Sequence, residues 1–313
     1  MENNKQRISS KEPQDDSCCP PGKENASRTW QIVSLVLVGF LITGALVSSP
    51  DSKNDSLKPG EISVEEAILP SDGAVLKVMW GRLGSQMTEA GVIDKEKFLA
   101  LYAQRGGLTN EERLLLEEES NGYLAINSDN AGVLLNLFWA LGLANKNSIL
   151  EEGPMADPRY GGDAGRFAST GGWTLSQGNA MDHYSRHAFV VLSQEQQALV
   201  ERVAKNIYRP CCGNSTYFPD CNHGMAMLGL LELMASQGVS EEEMYRAALQ
   251  VNSYWFPDTY LTIAQYFANR GVSWDGVNAK EVLGASYSSA QGYQRILEQV
   301  QPPQFQGGGS CGV

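Results

Sequence analysis

Histidine and cysteine are scarce in this chain, which limits the sites that it can build. The sequence of 313 residues has three histidines and six cysteines, and three of those cysteines fall between positions 211 and 221. This density is too low for a disulfide scaffold. Because 42% of the residues are hydrophobic, a core of ordinary size needs neither disulfides nor metal to hold it together.

Basic residues are also in deficit. The chain has 24 lysines and arginines against 36 aspartates and glutamates, a formal net charge of −12. Binding to nucleic acid requires a basic surface that neutralises phosphates. The sequence therefore predicts no nucleic-acid partner, and no pattern in it identifies a protein partner.

The common catalytic motifs are absent. The sequence has no nucleophile elbow, no His-Glu-x-x-His pattern and no dinucleotide fingerprint. The glycines between positions 153 and 178 are not followed by the Gly-Lys-Ser/Thr of a phosphate-binding loop. No catalytic residue is assigned from sequence, and whether the protein is an enzyme stays open at this point.

One long hydrophobic run stands near the N-terminus. Residues 30–47 form 18 positions without a charge, which is long enough to span a bilayer with little tilt. A cleaved signal peptide usually has a shorter apolar region and a shorter segment before it. We therefore expect a disordered polar tail over residues 1–29, a transmembrane anchor over residues 30–48 and a linker over residues 49–61.

The orientation of this anchor depends on weak charge differences. Two basic residues precede the run closely and two follow it, so the positive-inside rule gives almost no preference. A short polar tail before a large C-terminal domain favours a cytoplasmic N-terminus. We expect a single-pass membrane protein whose domain, residues 62–300, lies outside the cytoplasm and ends in a flexible glycine-rich tail over residues 301–313.

The fold class is predicted to be mainly α, a single helical domain with a few short strands and long irregular loops, behind one N-terminal transmembrane helix. Residues 74–80 alternate as a strand does, and residues 123–127 suit a brief strand or turn. Residues 131–144 are hydrophobic nearly all round, which predicts a helix at the centre of the core. Residues 151–178 predict a long irregular loop. Further helices are predicted over residues 83–91, 95–104, 110–120, 194–208, 224–237, 241–252, 257–269 and 290–300.

The densest group of reactive side chains lies in a loop that precedes an apolar helix. Cys211, Cys212, Cys221 and His223 form a Cys-Cys-x8-Cys-x-His pattern. Prolines and a glycine within the loop disfavour regular structure there. Because helix N-termini stabilise negative charge, this position suits either metal ligation or a reactive thiolate.

Three interpretations of this loop remain open from the sequence. A tetrahedral thiolate and imidazole site suits zinc, although the spacing is not that of a zinc finger, and nearby methionine sulfur favours copper(I). A disulfide from Cys221 to Cys211 or Cys212 would make the loop a structural staple in a non-catalytic interaction domain. A Cys211–Cys212 redox pair would make the protein a thiol-disulfide oxidoreductase. The first interpretation is preferred, with copper or zinc bound for metal handling or redox sensing.

Four further side chains are candidate additional ligands: His183, His187, Met225 and Cys311. The histidines are four apart, so a helix would hold them about 6 Å apart and a strand about 13 Å apart. The extended look of residues 188–192 favours the strand. All three histidines lie within 41 positions, which favours a site shared with the cysteines. Cys311 follows three glycines on a flexible arm.

The metal interpretation makes a geometric prediction. At least two of the three loop sulfurs and one nitrogen of His223 should lie within about 5 Å, the reach of one ion. A disulfide would instead bring two sulfurs to about 2.05 Å. The loop itself should pack against the helix at residues 131–144 or against residues 153–178.

Overall fold

The most hydrophobic segments of the chain form the centre of the fold. The computed structural model describes residues 63–300. Within them, the helices Ala131–Ala144 and Asn222–Ser236 are apolar around nearly their whole circumference and almost entirely buried. A helix without a polar face has to be enclosed by other elements, and the helices Leu83–Glu89, Gln194–Ala204 and Glu241–Trp255 pack directly against this pair.

The longest regular elements of the described residues are four helices of 12 to 15 residues, α5, α8, α9 and α10 in the list that follows. The α-helices are α1 (Val64–Ile68), α2 (Leu83–Glu89), α3 (Lys95–Ala103), α4 (Asn110–Glu117), α5 (Ala131–Ala144), α6 (Ser148–Glu152), α7 (Gln194–Ala204), α8 (Asn222–Ser236), α9 (Glu241–Trp255), α10 (Pro257–Ala268), α11 (Ala279–Val282), α12 (Ala285–Ser288) and α13 (Ala290–Leu297). The strands are β1 (Ala74–Gly81) and β2 (Ser120–Ile126). The mainly α class is thus confirmed for this part of the chain.

Strands β1 and β2 form an antiparallel pair that covers one side of the core. Ala74 pairs with Ile126 and Met79 with Tyr123, with irregular register between these pairs. The inward residues of β1 are buried while Val75 and Met79 remain exposed. The ring of Trp80 meets Phe138 of α5 edge-on, 5.8 Å between centroids, so the sheet packs directly on the central helix.

Residues 153–182 are less irregular than the sequence predicts. Short 3-10 turns occur at Pro154–Ala156, Pro158–Tyr160, Ala164–Arg166 and Ala180–Asp182. Two tryptophans fix the segment to the core. Trp139 of α5 donates its indole N–H to the carbonyl of Ser169 at 2.6 Å, and Trp173 donates to Val92 at 2.9 Å. The segment is therefore held in place by side chains rather than by regular structure.

Two predicted elements are corrected by the structure. The strand over residues 188–192 does not form, and His187 makes only an isolated bridge to Asn145. The helix predicted to reach residue 208 ends at Ala204, because the next residues bond elsewhere: Tyr208 donates its N–H to Leu283, and the carbonyl of Ile207 accepts from Thr216. Tertiary hydrogen bonds outweigh helix propensity at these residues.

No helix in residues 63–300 has the length and apolar character needed to cross a membrane. The predicted tail over residues 1–29, anchor over residues 30–48, linker over residues 49–61 and C-terminal tail over residues 301–313 all lie outside the described residues. They therefore stay predictions.

Glycines allow α5 and α8 to pack in close contact. A Cβ at Gly142 would lie 2.1 Å from the carbonyl oxygen of Met225, and one at Gly229 would lie 2.3 Å from that of Phe138. Both distances are far below van der Waals contact, so only glycine fits. Further along, Asn145 reaches Glu232 at 3.2 Å, which shows that the two helices run in the same direction.

This close packing predicts a contrast between two glycines of α5. Gly142→Ala should destabilise the protein by about 1–3 kcal/mol because the helices must move apart. Gly132→Ala, in the same helix but with no atom within 4 Å of the added methyl, should be neutral or stabilising by up to about 1 kcal/mol. Urea unfolding of both variants measures the difference, and equal effects would show that the contact is not tight.

Candidate metal centre

The cysteine loop is the tight loop that connects α7 to α8. Tyr208 and Ser215 form an isolated antiparallel bridge, and Thr216 donates its N–H to Ile207 at 2.8 Å. The residues between Tyr208 and Ser215, including Cys211 and Cys212, form the end of this loop. The chain then returns to begin α8, which places both cysteines over the N-terminal end of that helix.

The loop packs against the segment of residues 153–178, as the sequence predicts. Ser169 donates its N–H to the carbonyl of Asp220 at 3.2 Å. The ring of Phe218 lies 4.8 Å from that of Tyr160 and 5.4 Å from that of Phe167, measured between centroids. This contact fixes the residues immediately before α8, and with them the position of Cys221.

Two sulfurs and an imidazole converge at the start of α8. The Sγ atoms of Cys211 and Cys221 are 3.6 Å apart, and with a ring nitrogen of His223 they all lie within 4.8 Å of one another. Tetrahedral zinc with Zn–S bonds of about 2.3 Å requires sulfurs about 3.5–4 Å apart. The predicted convergence is confirmed, and the separation exceeds the roughly 2.05 Å of a disulfide.

His223 has a buried nitrogen without a hydrogen-bond partner. It lies within the first turn of α8, a helix that begins two residues earlier than predicted, and is 4% exposed. Its ring packs against Trp255 and Phe256, and its Nδ1 has no partner among the described residues. Burying a polar atom without a partner is costly. A histidine whose ring lies beside two thiols and carries such an atom fits a metal ligand.

The fourth predicted ligand, Cys212, belongs to a second group. Its Sγ lies with a carboxylate oxygen of Asp220 and the Sγ of Cys221 within 4.8 Å of one another, whereas His223 is not part of this group. The four predicted ligands are therefore not one group: three of them form the first set, and Cys212 joins Cys221 and Asp220, which was not predicted as a ligand, in a second set. Cys221 is common to both, and all three cysteines of the described residues are free thiols.

A buried arginine holds the loop together from beneath. The guanidinium of Arg209 is 2% exposed. Its Nε–H donates to the Sγ of Cys221 at 3.0 Å, and its remaining groups donate to the carbonyls of Asn214 and Phe218 and to the carboxylate of Asp220. One side chain thus bonds four parts of the loop and touches one of the candidate ligands directly.

Arg209 lies flat against the first turn of α8. A Cβ at Gly224 would lie 2.5 Å from its Cζ, so only glycine permits this approach. A cation at a helix N-terminus opposes the helix dipole, and negative charge nearby is needed to offset it. Asp220 supplies one such charge, and its second oxygen accepts a hydrogen bond from Asn214 at 2.7 Å.

The three thiols do not ionise equally. Hydrogen bonds with Cys211 and Cys212, helped by the Arg209 guanidinium, hold the pKa of Cys221 well below its usual range despite its burial. Hydrogen bonds with Cys212 and Cys221, together with burial, raise the pKa of Cys211. Burial raises the pKa of Asp220, and Arg209 opposes that shift. Negative charge on sulfur is therefore concentrated at Cys221, beside the buried cation.

The other two histidines form a separate pair. The Nδ1 of His183 lies 3.2 Å from the Nε2 of His187, in a loop that is neither the helix nor the strand considered from sequence. His187 bridges Asn145, which contacts Glu232. Glu232 lies nine residues beyond His223, about 14 Å along α8 at 1.5 Å per residue. The pair therefore lies at the opposite end of the central helices, away from the cysteines.

Two of the additional candidate ligands carry sulfur, Met225 and Cys311, and the structure describes only Met225. Met225 is fully buried in the hydrophobic core, as methionine in an apolar helix usually is. Cys311 lies outside the described residues.

Sequence reasoning did not identify Arg209 as part of the site. The one signal for it was Gly224, a glycine within the first turn of an otherwise apolar helix.

The buried ion pair predicts a large loss of stability on mutation. Arg209→Met leaves the mostly buried Asp220 without its cation, which costs up to about 3–5 kcal/mol. The double variant Arg209→Met/Asp220→Asn should recover at least half of the loss because the uncompensated charge is gone. Arg159→Met, which breaks the exposed pair with Asp157, is the control and should leave stability unchanged. Urea unfolding with reductant and chelator present measures all three, and an Arg209→Met curve matching the control contradicts the prediction.

Comparison with known proteins gives no match. No family model fits the sequence, and neither a curated protein nor a solved structure matches it. The function of the site is therefore argued from its own donor atoms, their distances and their charges.

Proposed function

We propose that this domain binds one borderline transition metal ion, zinc(II), through Cys211, Cys221 and His223, and that its role is metal handling. The observation that carries the proposal is the convergence of two free thiols, 3.6 Å apart, with a ring nitrogen of a buried histidine. Thiolate sulfur and imidazole nitrogen are the ligands that zinc uses most often in proteins.

Charge favours zinc(II) over copper(I) at this position. Metal binding requires thiolates, so Cys211 and Cys221 contribute two negative charges and a divalent ion cancels them. Arg209 and Asp220 form an ion pair and cancel each other. A monovalent ion would leave one uncompensated negative charge at buried ligands, which is unfavourable. Methionine sulfur would favour copper(I), but Met225 lies within the hydrophobic core.

The number of ligands favours exchange over a purely structural role. Structural zinc sites are usually closed by four protein ligands, whereas sites with three keep one position open for water or another ligand. The domain also has a large hydrophobic core that does not include the site. Binding of metal is therefore not needed to make the fold, and the open position suits uptake and release.

The cellular setting belongs to the same proposal and is supported by the sequence alone. The uncharged run at residues 30–47 suits an anchor that tethers the domain outside the cytoplasm, with the metal centre accessible from that side. Loss of the domain from the membrane fraction when residues 30–48 are deleted would agree with this placement. Unchanged membrane association of that deletion would argue against it.

A thiol redox centre is the second candidate, because two sulfurs lie close together and one of them has a lowered pKa. A redox thiolate has to be accessible to its partner. Here the thiol with the lowered pKa, Cys221, is 7% exposed, and the more accessible Cys211 has a raised pKa. This arrangement stabilises a buried thiolate better than it presents one for attack, so metal ligation is preferred.

The proposal predicts stoichiometric zinc binding. The reduced full-length chain in detergent should bind one zinc ion, and Cys211→Ser or His223→Ala should weaken binding at least about 100-fold, or about 2.7 kcal/mol. His183→Ala removes a histidine outside the site and is the matched control. Competition against a chromophoric chelator measures the affinities.

Two outcomes would contradict this function. Zinc binding that is equally weakened by His183→Ala and His223→Ala would place the metal elsewhere. Absence of binding, combined with loss of two free thiols per chain on mild oxidation, would favour the redox candidate instead.

A further inference from the structure

The two ligand sets at the start of α8 share one thiolate. The first consists of Cys211, Cys221 and His223, and the second of Cys212, Asp220 and Cys221. In each set the candidate donor atoms lie within 4.8 Å of one another. We call the first the inner set and the second the outer set. An ion in either set would keep Cys221 as a ligand when it moved to the other.

Accessibility distinguishes the sets. His223 is 4% exposed and lies under two aromatic rings. Each set contains one half-buried cysteine, Cys211 in the inner set and Cys212 in the outer set. The sets differ in the remaining ligand, because the Asp220 side chain of the outer set is 14% exposed. Gly213, the residue after Cys212, is exposed. An ion arriving from solvent therefore meets the outer set before it meets the imidazole.

The outer set should bind zinc more weakly than the inner set. Arg209 donates hydrogen bonds to Cys221 and to Asp220, so two of the three outer ligands are already hydrogen-bonded to its guanidinium. Asn214 donates to the second oxygen of Asp220. A carboxylate has lone pairs left for a metal, but the guanidinium repels the ion and withdraws charge from its ligands. In the inner set only Cys221 is bonded to Arg209.

We propose that the outer set, Cys212, Asp220 and Cys221, is a transient position through which zinc reaches and leaves the inner set. This inference rests on the proposed function of the inner set as a zinc site. Weak binding at an accessible position and strong binding at a buried one are what a route for uptake requires.

The transfer is a ligand exchange without any change of oxidation state. Bonds from the ion to the Cys212 sulfur and to an Asp220 oxygen break, while bonds to the Cys211 sulfur and a His223 nitrogen form. The bond to Cys221 persists throughout. Cys211 gives up its thiol proton as it binds, and Cys212 takes up one proton as it leaves, so the number of protons is unchanged.

Kinetics separate this role from that of an ordinary ligand. Removing an intermediate position slows uptake and release alike and leaves the equilibrium unchanged, whereas removing a ligand weakens the equilibrium. We therefore expect Cys212→Ser in the full chain, which keeps a hydroxyl beside Cys221, to lower the zinc affinity at least about tenfold less than Cys211→Ser does. The rates of zinc uptake and of zinc loss to a chelator in Cys212→Ser should both fall at least about tenfold.

The measurement is stopped-flow transfer of zinc between the reduced protein and a chromophoric chelator, in both directions. Cys211→Ser serves as the comparison because it removes an inner ligand and should weaken the equilibrium strongly. Cys212→Ala repeats the test with a side chain that cannot coordinate through oxygen, and folding of each variant is checked by its circular dichroism spectrum.

The results that would overturn the inference are distinct from those that would overturn the function. A Cys212→Ser affinity reduced as much as that of Cys211→Ser would make Cys212 a permanent fourth ligand. Unchanged rates in both Cys212 variants would remove it from the route. Wild-type protein that binds no zinc would instead overturn the proposed function, and this inference with it.

Discussion

The buried guanidinium of Arg209 is the contact on which the candidate site depends. Its donors bond the sulfur of Cys221, the carboxylate of Asp220 and two loop carbonyls. Burying a charge without partners is very costly, so the loop closes around the cation in the arrangement that satisfies it. That arrangement brings the thiols together at the start of α8, and negative charge on Cys221 stabilises the cation in return.

The fold supplies a rigid base for this contact. Gly142 and Gly229 let α5 and α8 approach until their backbones touch, which fixes the axis of α8. The aromatic contacts of Phe218 then hold the loop against the segment of residues 153–178. Ligands held in this way need little rearrangement to bind an ion, and preorganisation of this kind lowers the cost of binding.

Sequence reasoning recovered the parts of this structure that depend on local patterns. The central helix at residues 131–144 and the strand beginning at residue 74 follow from periodicity, and the convergence of Cys211, Cys221 and His223 follows from clustered donors before a helix. It failed where contacts between residues far apart in the sequence determine the structure. The early end of α7, the separation of the histidine pair from the cysteines and the place of Arg209 in the site all depend on contacts that no local pattern shows.

X-ray absorption spectroscopy at the zinc edge of the zinc-loaded full chain tests the account most directly. We expect two sulfur neighbours at about 2.3 Å and at least one nitrogen or oxygen neighbour at about 2.0–2.1 Å. The imidazole signal should be lost in His223→Ala and kept in His183→Ala. A first shell made only of nitrogen and oxygen, or one made of four sulfurs, would contradict a zinc centre formed by Cys211, Cys221 and His223.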